Sequence, residues 1–239
     1  MKQIESQLHA LRLQGMSQSW EQLKSTRQLD KISFMEGLEI LLQAEEDQRQ
    51  DRRYKRLEYL AGFRYKASVQ EVITSAERGM DPALLARLAT GSYIDKGEAI
   101  LITGPTGCGK SFLASALGQQ ACLAGKKVLY FNTQKLMQRL KLLRLDGSIH
   151  KFFEKVARTD LLIIDDFGMR RLENQQQSDL MEIIEDRHNT KSTIIASQLP
   201  VSNWYDVIGE ETIADAILDR LVNTAHLIQL AGESMRKKR

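Results

Sequence analysis

Apolar positions recur at helical spacing from the start of the chain to about residue 65, and condense into short solid runs from Ala99 onward. Ile4, Leu8 and Leu11 are spaced by four and three, and Trp20 and Leu23 by three beyond a break at Gly15, the pattern of short amphipathic helices. Ser33 and Glu36 form a capping box, each side chain satisfying a backbone N–H at a helix start, ahead of Phe34, Leu38, Leu41 and Leu42. That helix is expected to run through a charged stretch to Leu60. Asp81-Pro82 supplies an N-cap and first-turn proline for a helix carrying Leu84, Leu85 and Leu88, with Gly91 as its stop.

The later runs AILIT, KVLYF, LLIID, TIIAS and HLIQL alternate with longer helical segments. A strand covered on both faces has no polar side, so this alternation predicts an α/β fold with a five-stranded parallel sheet flanked by crossover helices. The expected organisation is a small all-α domain over residues 1–65 and an α/β domain over 66–239.

Composition narrows the class. An apolar fraction of 42% in 239 residues is enough for a packed core, and 3 prolines without Gly/Ser-rich runs argue against long disordered stretches. The net charge of +3 and pI near 8.8 permit binding to a phosphate backbone without demonstrating it. MKQIESQLHALRLQG has no apolar core of a signal peptide, and no run approaches membrane-spanning length. Cys108 and Cys122 do not form a disulfide framework, so a reducing cytoplasm is the expected location. His9, His150, His188 and His226 are dispersed without metal-ligand spacing, which argues against a zinc site.

The strand AILIT leads into Gly104, Pro105, Thr106, Gly107, Cys108, Gly109, Lys110 and Ser111 and then into a helix beginning with Phe112. This is a Walker A motif in its strand-loop-helix context. Its glycines let backbone N–H groups turn inward around phosphate, Lys110 reaches the β- and γ-phosphates of ATP, and Ser111 offers a hydroxyl to Mg²⁺. The run Leu161–Ile164 ends in Asp165 and Asp166, a Walker B motif. Asp165 is expected to hold Mg²⁺ through water, and Asp166 to orient or deprotonate the attacking water. One strand, KVLYF, separates the two motifs. This order resembles the additional-strand class of P-loop ATPases, which implies that the later run TIIAS lies between the Walker strands and directs a polar sensor, Ser197 or Gln198, at the γ-phosphate.

Two segments are basic. Arg49, Arg52, Arg53, Lys55 and Arg56 follow an acidic half-helix, and Lys135, Arg139, Lys141, Arg144 and Lys151 surround a stripe of Leu136, Leu140 and Leu143. Each is either a solvated helix face or a surface that gains by releasing counterions from DNA. No helix-turn-helix or zinc finger is present, so any DNA binding is expected to be largely independent of sequence.

The order LRLQGM, DRR, LATGSYI, LITGPTGCGKSFLASALGQQA, LLIIDDFG, IIASQLP, ILDRL and GESMR resembles AAA+ proteins of the initiator and helicase-loader branch, and most closely the IstB-like ATPases encoded beside transposases. The resemblance implies an ATP- and Mg²⁺-dependent homo-oligomer that assembles on DNA and recruits or regulates a partner transposase, with a replicative helicase loader as the alternative. It also implies that Arg220 in ILDRL acts as an arginine finger toward a neighbouring subunit's nucleotide, and that Arg236 in GESMR is a second sensor. The second Walker B acid is Asp where the commoner residue is Glu, so slow hydrolysis is expected.

Overall fold

The computed structural model describes residues 2–29 and 31–235. The chain divides into two compact units, Met1–Arg56 and Leu57–Arg239. The first unit contains α1 (Lys2–Ala10), α2 (Gln14–Ser25) and most of α3 (Phe34–Ala61). The Ser33–Glu36 capping box is formed, with Ser33 N–H donating to Glu36 at 2.8 Å and Glu36 N–H to the Ser33 hydroxyl at 3.3 Å.

Gly15 does not break the helical pattern; it lies inside α2. A Cβ there would sit 2.2 Å from the Ala44 carbonyl oxygen and 2.6 Å from the Glu45 Cα, so glycine is what lets α2 approach the α3 backbone. Leu13, which precedes α2, gives no side-chain cap. Glu45 reaches across instead, accepting from the Gly15 N–H at 2.7 Å and the Met16 N–H at 3.3 Å, so a carboxylate of α3 caps the N-terminus of α2. Phe34 and Leu42, which follow the capping box, are exposed.

In the second unit, α4 (Pro82–Ala89) and α5 (Ser92–Asp95) precede β1 (Ile100–Thr103). There follow α6 (Lys110–Leu123), β2 (Val128–Asn132), α7 (Thr133–Leu145), α8 (Ile149–Ala157), β3 (Leu161–Phe167), α9 (Asn174–Arg187), β4 (Ser192–Ser197), α10 (Trp204–Ile208), α11 (Glu211–Val222) and β5 (His226–Gln229). All five strands pair parallel, in the order β2-β3-β4-β1-β5, so β4 does lie between the Walker strands. The basic segment after β2 is two helices, because Gly147, at φ 74°, ends the first.

Burial explains the solid apolar runs. Ile100, Leu101, Ile102 and Leu161–Ile164 are wholly inaccessible, and alternate side chains serve opposite faces. Leu101, Leu162, Ile164 and Ile195 join Leu140, Phe152, Leu180, Trp204 and Ile217 in one core cluster. On the other face α6 packs so closely that a Cβ at Gly118 would lie 2.8 Å from Ile163. The same alternation puts Tyr130, Asn132 and Asp165 on the α6 face at the carboxyl end of the sheet, where a polar pocket can form.

Candidate active site

The turn from β1 to α6 is built of glycines for two separate reasons. Gly104, Gly107 and Gly109 have φ of 143°, 85° and 102°, a region that other residues rarely adopt. Neighbouring chain also crowds them: a Cβ at Gly104 would lie 2.2 Å from the Leu230 carbonyl oxygen, and one at Gly107 2.2 Å from the Ser234 hydroxyl. The loop is braced through its carbonyls, Gly107 accepting from the Met235 N–H at 3.0 Å and Cys108 from Arg78 at 3.1 Å. Phe112 borders an apolar recess beside the loop, with Val72, Ile73 and Met235.

Lys110 is buried at the start of α6, its ammonium donating to the Gly104 carbonyl at 2.7 Å and the Pro105 carbonyl at 2.8 Å. An anionic phosphate oxygen is a stronger acceptor than a neutral carbonyl, so these bonds are exchangeable. Next in the chain, the Ser111 hydroxyl donates to Asp165 Oδ1 at 3.0 Å. The two groups expected to share a cation are therefore adjacent.

Asp165 is almost wholly buried and fully engaged. Tyr130 donates its hydroxyl to Oδ2, the Asp166 N–H donates to Oδ1 at 2.8 Å, and the Thr133 hydroxyl holds the Asp165 carbonyl at 2.8 Å. Burial, and then the negative charge of Asp165, push the Tyr130 phenol well above its ordinary pKa, so it remains a donor. Regular strand alternation would send Asp166 to the opposite face. A left-handed backbone at Asp166, φ 55°, and a register shift between Ile164 and Phe167 interrupt it. Asp166 Oδ2 accepts from Asn132 at 2.9 Å and from Arg64 at 2.9 Å, and Arg64 also lies 3.7 Å from Asp165.

The two sensor candidates separate. Ser197 is buried, donates to the Phe167 carbonyl at 2.8 Å and accepts from the Leu199 N–H at 3.1 Å, which ties β4 to β3. Gln198, beyond the strand end, accepts from Thr106 of the phosphate loop at 2.7 Å. Gln198 is thus the candidate that touches the loop, while the Ser197 hydroxyl is spent on the sheet. Arg220 lies on α11, pairs with Glu185 at 2.5 Å and donates to the Ala216 carbonyl at 2.9 Å. Arg236 lies outside the described residues.

Several of the basic candidates have partners of their own. Arg49 pairs with Glu45 at 2.8 Å, Arg52 lies 3.8 Å from the same carboxylate, and Lys55 pairs with Asp51 at 2.6 Å. Arg144 donates two nitrogens to the buried Asp179, and Arg139 lies over the rings of Phe131 and Phe152. Arg53, Arg56, Lys135, Lys141 and Lys151 are exposed. Lys141 also borders a cleft of about 250 Å³ that reaches Asp166 and is further walled by Arg170 and Arg171.

Sequence reasoning missed Arg64, Tyr130, Asn132 and Arg78. Tyr130 and Asn132 were within reach, since a two-residue period in a strand ending beside Asp165 marks them. Arg64 and Arg78 have no local signal.

Over residues 6–239 the chain matches the family described as IstB-like ATP binding protein. It belongs to that family. An insertion sequence ATP-binding protein of Sinorhizobium fredii is 43% identical over 230 residues, covering 96% of this IstB-like chain and 94% of the relative. The ATP-binding protein of insertion sequence IS1162 from Pseudomonas fluorescens is 40% identical, over 82% of this chain and 86% of the relative. Among solved structures, the DnaC helicase loader has a TM-score of 0.56 at 23% identity, covering 69% of this chain and 97% of that one. DnaI has 0.61 at 17% identity, covering 75% and 98%. At these identities the two structures show a shared fold and nothing further.

The donor set fits a hydrated cation. Among the described residues no cluster of three or more His, Cys, Asp or Glu could cage a metal, whereas Ser111 and Asp165 offer two oxygens side by side. Mg²⁺ keeps most of its water shell and needs few protein oxygens.

Proposed function

We propose that this IstB-like chain is a Mg²⁺-dependent ATPase that oligomerises on duplex DNA with little sequence preference and recruits or regulates a partner transposase, with hydrolysis controlling disassembly. The observation that carries the catalytic part is the convergence of Lys110, Ser111, Asp165 and Asp166 at one end of the sheet. The loop N–H groups and Lys110 bind the phosphates, and Ser111 with Asp165 would hold Mg²⁺, which when bound neutralises phosphate charge. Asp166 accepts a proton from water as the water oxygen bonds to the γ-phosphorus; the bridging P–O bond then breaks and ADP leaves. Gln198 orients the terminal phosphate from the β4 side.

The transposition role is supported by relatives named for insertion sequences that align over nearly their whole length. Similarity to the DnaC loader concerns the fold and does not favour a loading role. Exposed Lys135 and Lys141, with Arg170 and Arg171 along the neighbouring cleft, support contact with phosphates rather than bases. Arg220 is the residue that reaches a neighbouring subunit's nucleotide, giving up Glu185 to do so.

The test is a DNA-binding titration at several salt concentrations, with and without ATP, beside light scattering for self-association. ATP is expected to promote assembly and tighten DNA binding, with affinity falling log-linearly in salt. If neither assembly nor affinity responds to ATP, the proposal fails.

A further inference from the structure

Among the charges around Asp166, one has no part in the chemistry above. Arg64 lies in the segment after α3 and is held there by both its neighbours. Phe63 packs edge-on against Tyr130, centroids 6.2 Å apart, and fits so closely over α6 that a Cβ at Gly118 would lie 2.5 Å from its ring. The Tyr65 carbonyl accepts from Gln119 of α6 at 2.9 Å, and the Arg64 guanidinium lies over the Tyr65 ring at 5.4 Å. So anchored, Arg64 donates to Asp166 Oδ2 at 2.9 Å.

That oxygen also accepts from Asn132 at 2.9 Å, so its lone pairs are already committed to two donors, one of them cationic. A carboxylate oxygen engaged in this way is held in place and away from other partners. The Arg64 side chain is 42% exposed, so the contact is of a strength that can be made and broken.

We propose that Arg64 is a positioning residue that restrains Asp166 and keeps the resting rate of ATP hydrolysis low, turnover rising when the Arg64–Asp166 pair opens. The proposal rests on the reading of Asp166 as the proton acceptor. It also explains why residues 63–65 are fastened to α6 on either side of the arginine: the flanking anchors fix the distance of the charge from the acid.

The experiment compares Arg64→Ala, Arg64→Lys, Asp166→Asn and the double variant R64A/D166N in full-length protein, measuring steady-state hydrolysis and, separately, affinity for a fluorescent ATP analogue. Arg64→Ala is expected to raise kcat about fivefold, the scale of a half-exposed ion pair, with KM and analogue affinity unchanged. Arg64→Lys keeps the charge without the fork and is expected to fall between wild type and Arg64→Ala. In the Asp166→Asn background the second substitution is expected to add nothing. A fall in kcat, or a loss of analogue affinity in Arg64→Ala, would mean that Arg64 serves the phosphates and would overturn the proposal. If Asp166→Asn abolishes hydrolysis and Arg64→Ala is neutral, only the restraint is wrong. If Asp166→Asn hydrolyses like wild type, the proton-acceptor reading falls and the restraint with it. Should Arg64→Ala fail to fold, Arg64→Lys carries the same expectation: a higher kcat supports the restraint, and an unchanged or lower one overturns it.

Discussion

Arg187 shows how a single side chain can be spent wholly on structure. It is 1% exposed and donates to the carbonyls of Val156 at 2.5 Å and Thr159 at 2.8 Å, to the Thr193 hydroxyl at 3.1 Å and to the Ser192 carbonyl. Those partners lie just before β3 and at the start of β4, so the guanidinium closes the amino-terminal end of the sheet, opposite the active site. Arg187→Leu would remove the donors that tie these buried oxygens together, and we expect it to lower unfolding stability by about 3 kcal/mol in urea denaturation. Nothing in the sequence separates this arginine from an exposed helix residue. The sensor pair makes the same point at closer range: Ser197 and Gln198 were equivalent candidates, and only the Phe167 carbonyl and the Thr106 hydroxyl tell them apart.

At the scale of elements, the crossing of α2 and α3 is set by Gly15 and Glu45. Because a Cβ at residue 15 would meet backbone rather than the end of a flexible side chain, Gly15→Ala forces the helices apart despite its better helix propensity. We expect it to destabilise the helical unit by about 2 kcal/mol, seen as faster hydrogen exchange within residues 14–25. Glu45 adds a pH dependence. Desolvation raises its pKa, but Arg49 and the N–H groups of Met16 and Gly15 outweigh that and hold the carboxyl below its ordinary value. The sign follows from linkage: this stabilisation is fully present above the unfolded pKa of about 4.3 and is lost as pH falls through the lower folded value. Hydrogen exchange in α2 should therefore rise on acidification below about pH 4, and Glu45→Gln should flatten that part of the profile. The helices themselves were legible from spacing and from the Ser33–Glu36 box. Their crossing was not, since a glycine in a helical run reads locally as a break.

For the whole molecule, the strand order β2-β3-β4-β1-β5 puts a third strand between the two Walker strands and leaves Arg220 on α11, paired with Glu185. If Arg220 completes a neighbour's site, the defect of Arg220→Ala belongs to the assembly and not to the subunit. Arg220→Ala and Asp166→Asn should each be nearly inactive alone. Mixed together with ATP they should recover a fraction of wild-type hydrolysis, because some interfaces then join an intact site to an intact arginine; no recovery would exclude action between subunits. The sequence by itself determined the α/β class, the phosphate loop and the Walker acids. Each is encoded within one strand-turn-helix stretch, where glycine freedom and burial act on neighbours in the chain. Only the tertiary structure decided which polar groups meet Asp165 and Asp166. Tyr130, Asn132 and Arg64 come from separate segments, brought together by parallel register, an interrupted alternation at Asp166 and the docking of Phe63 on α6.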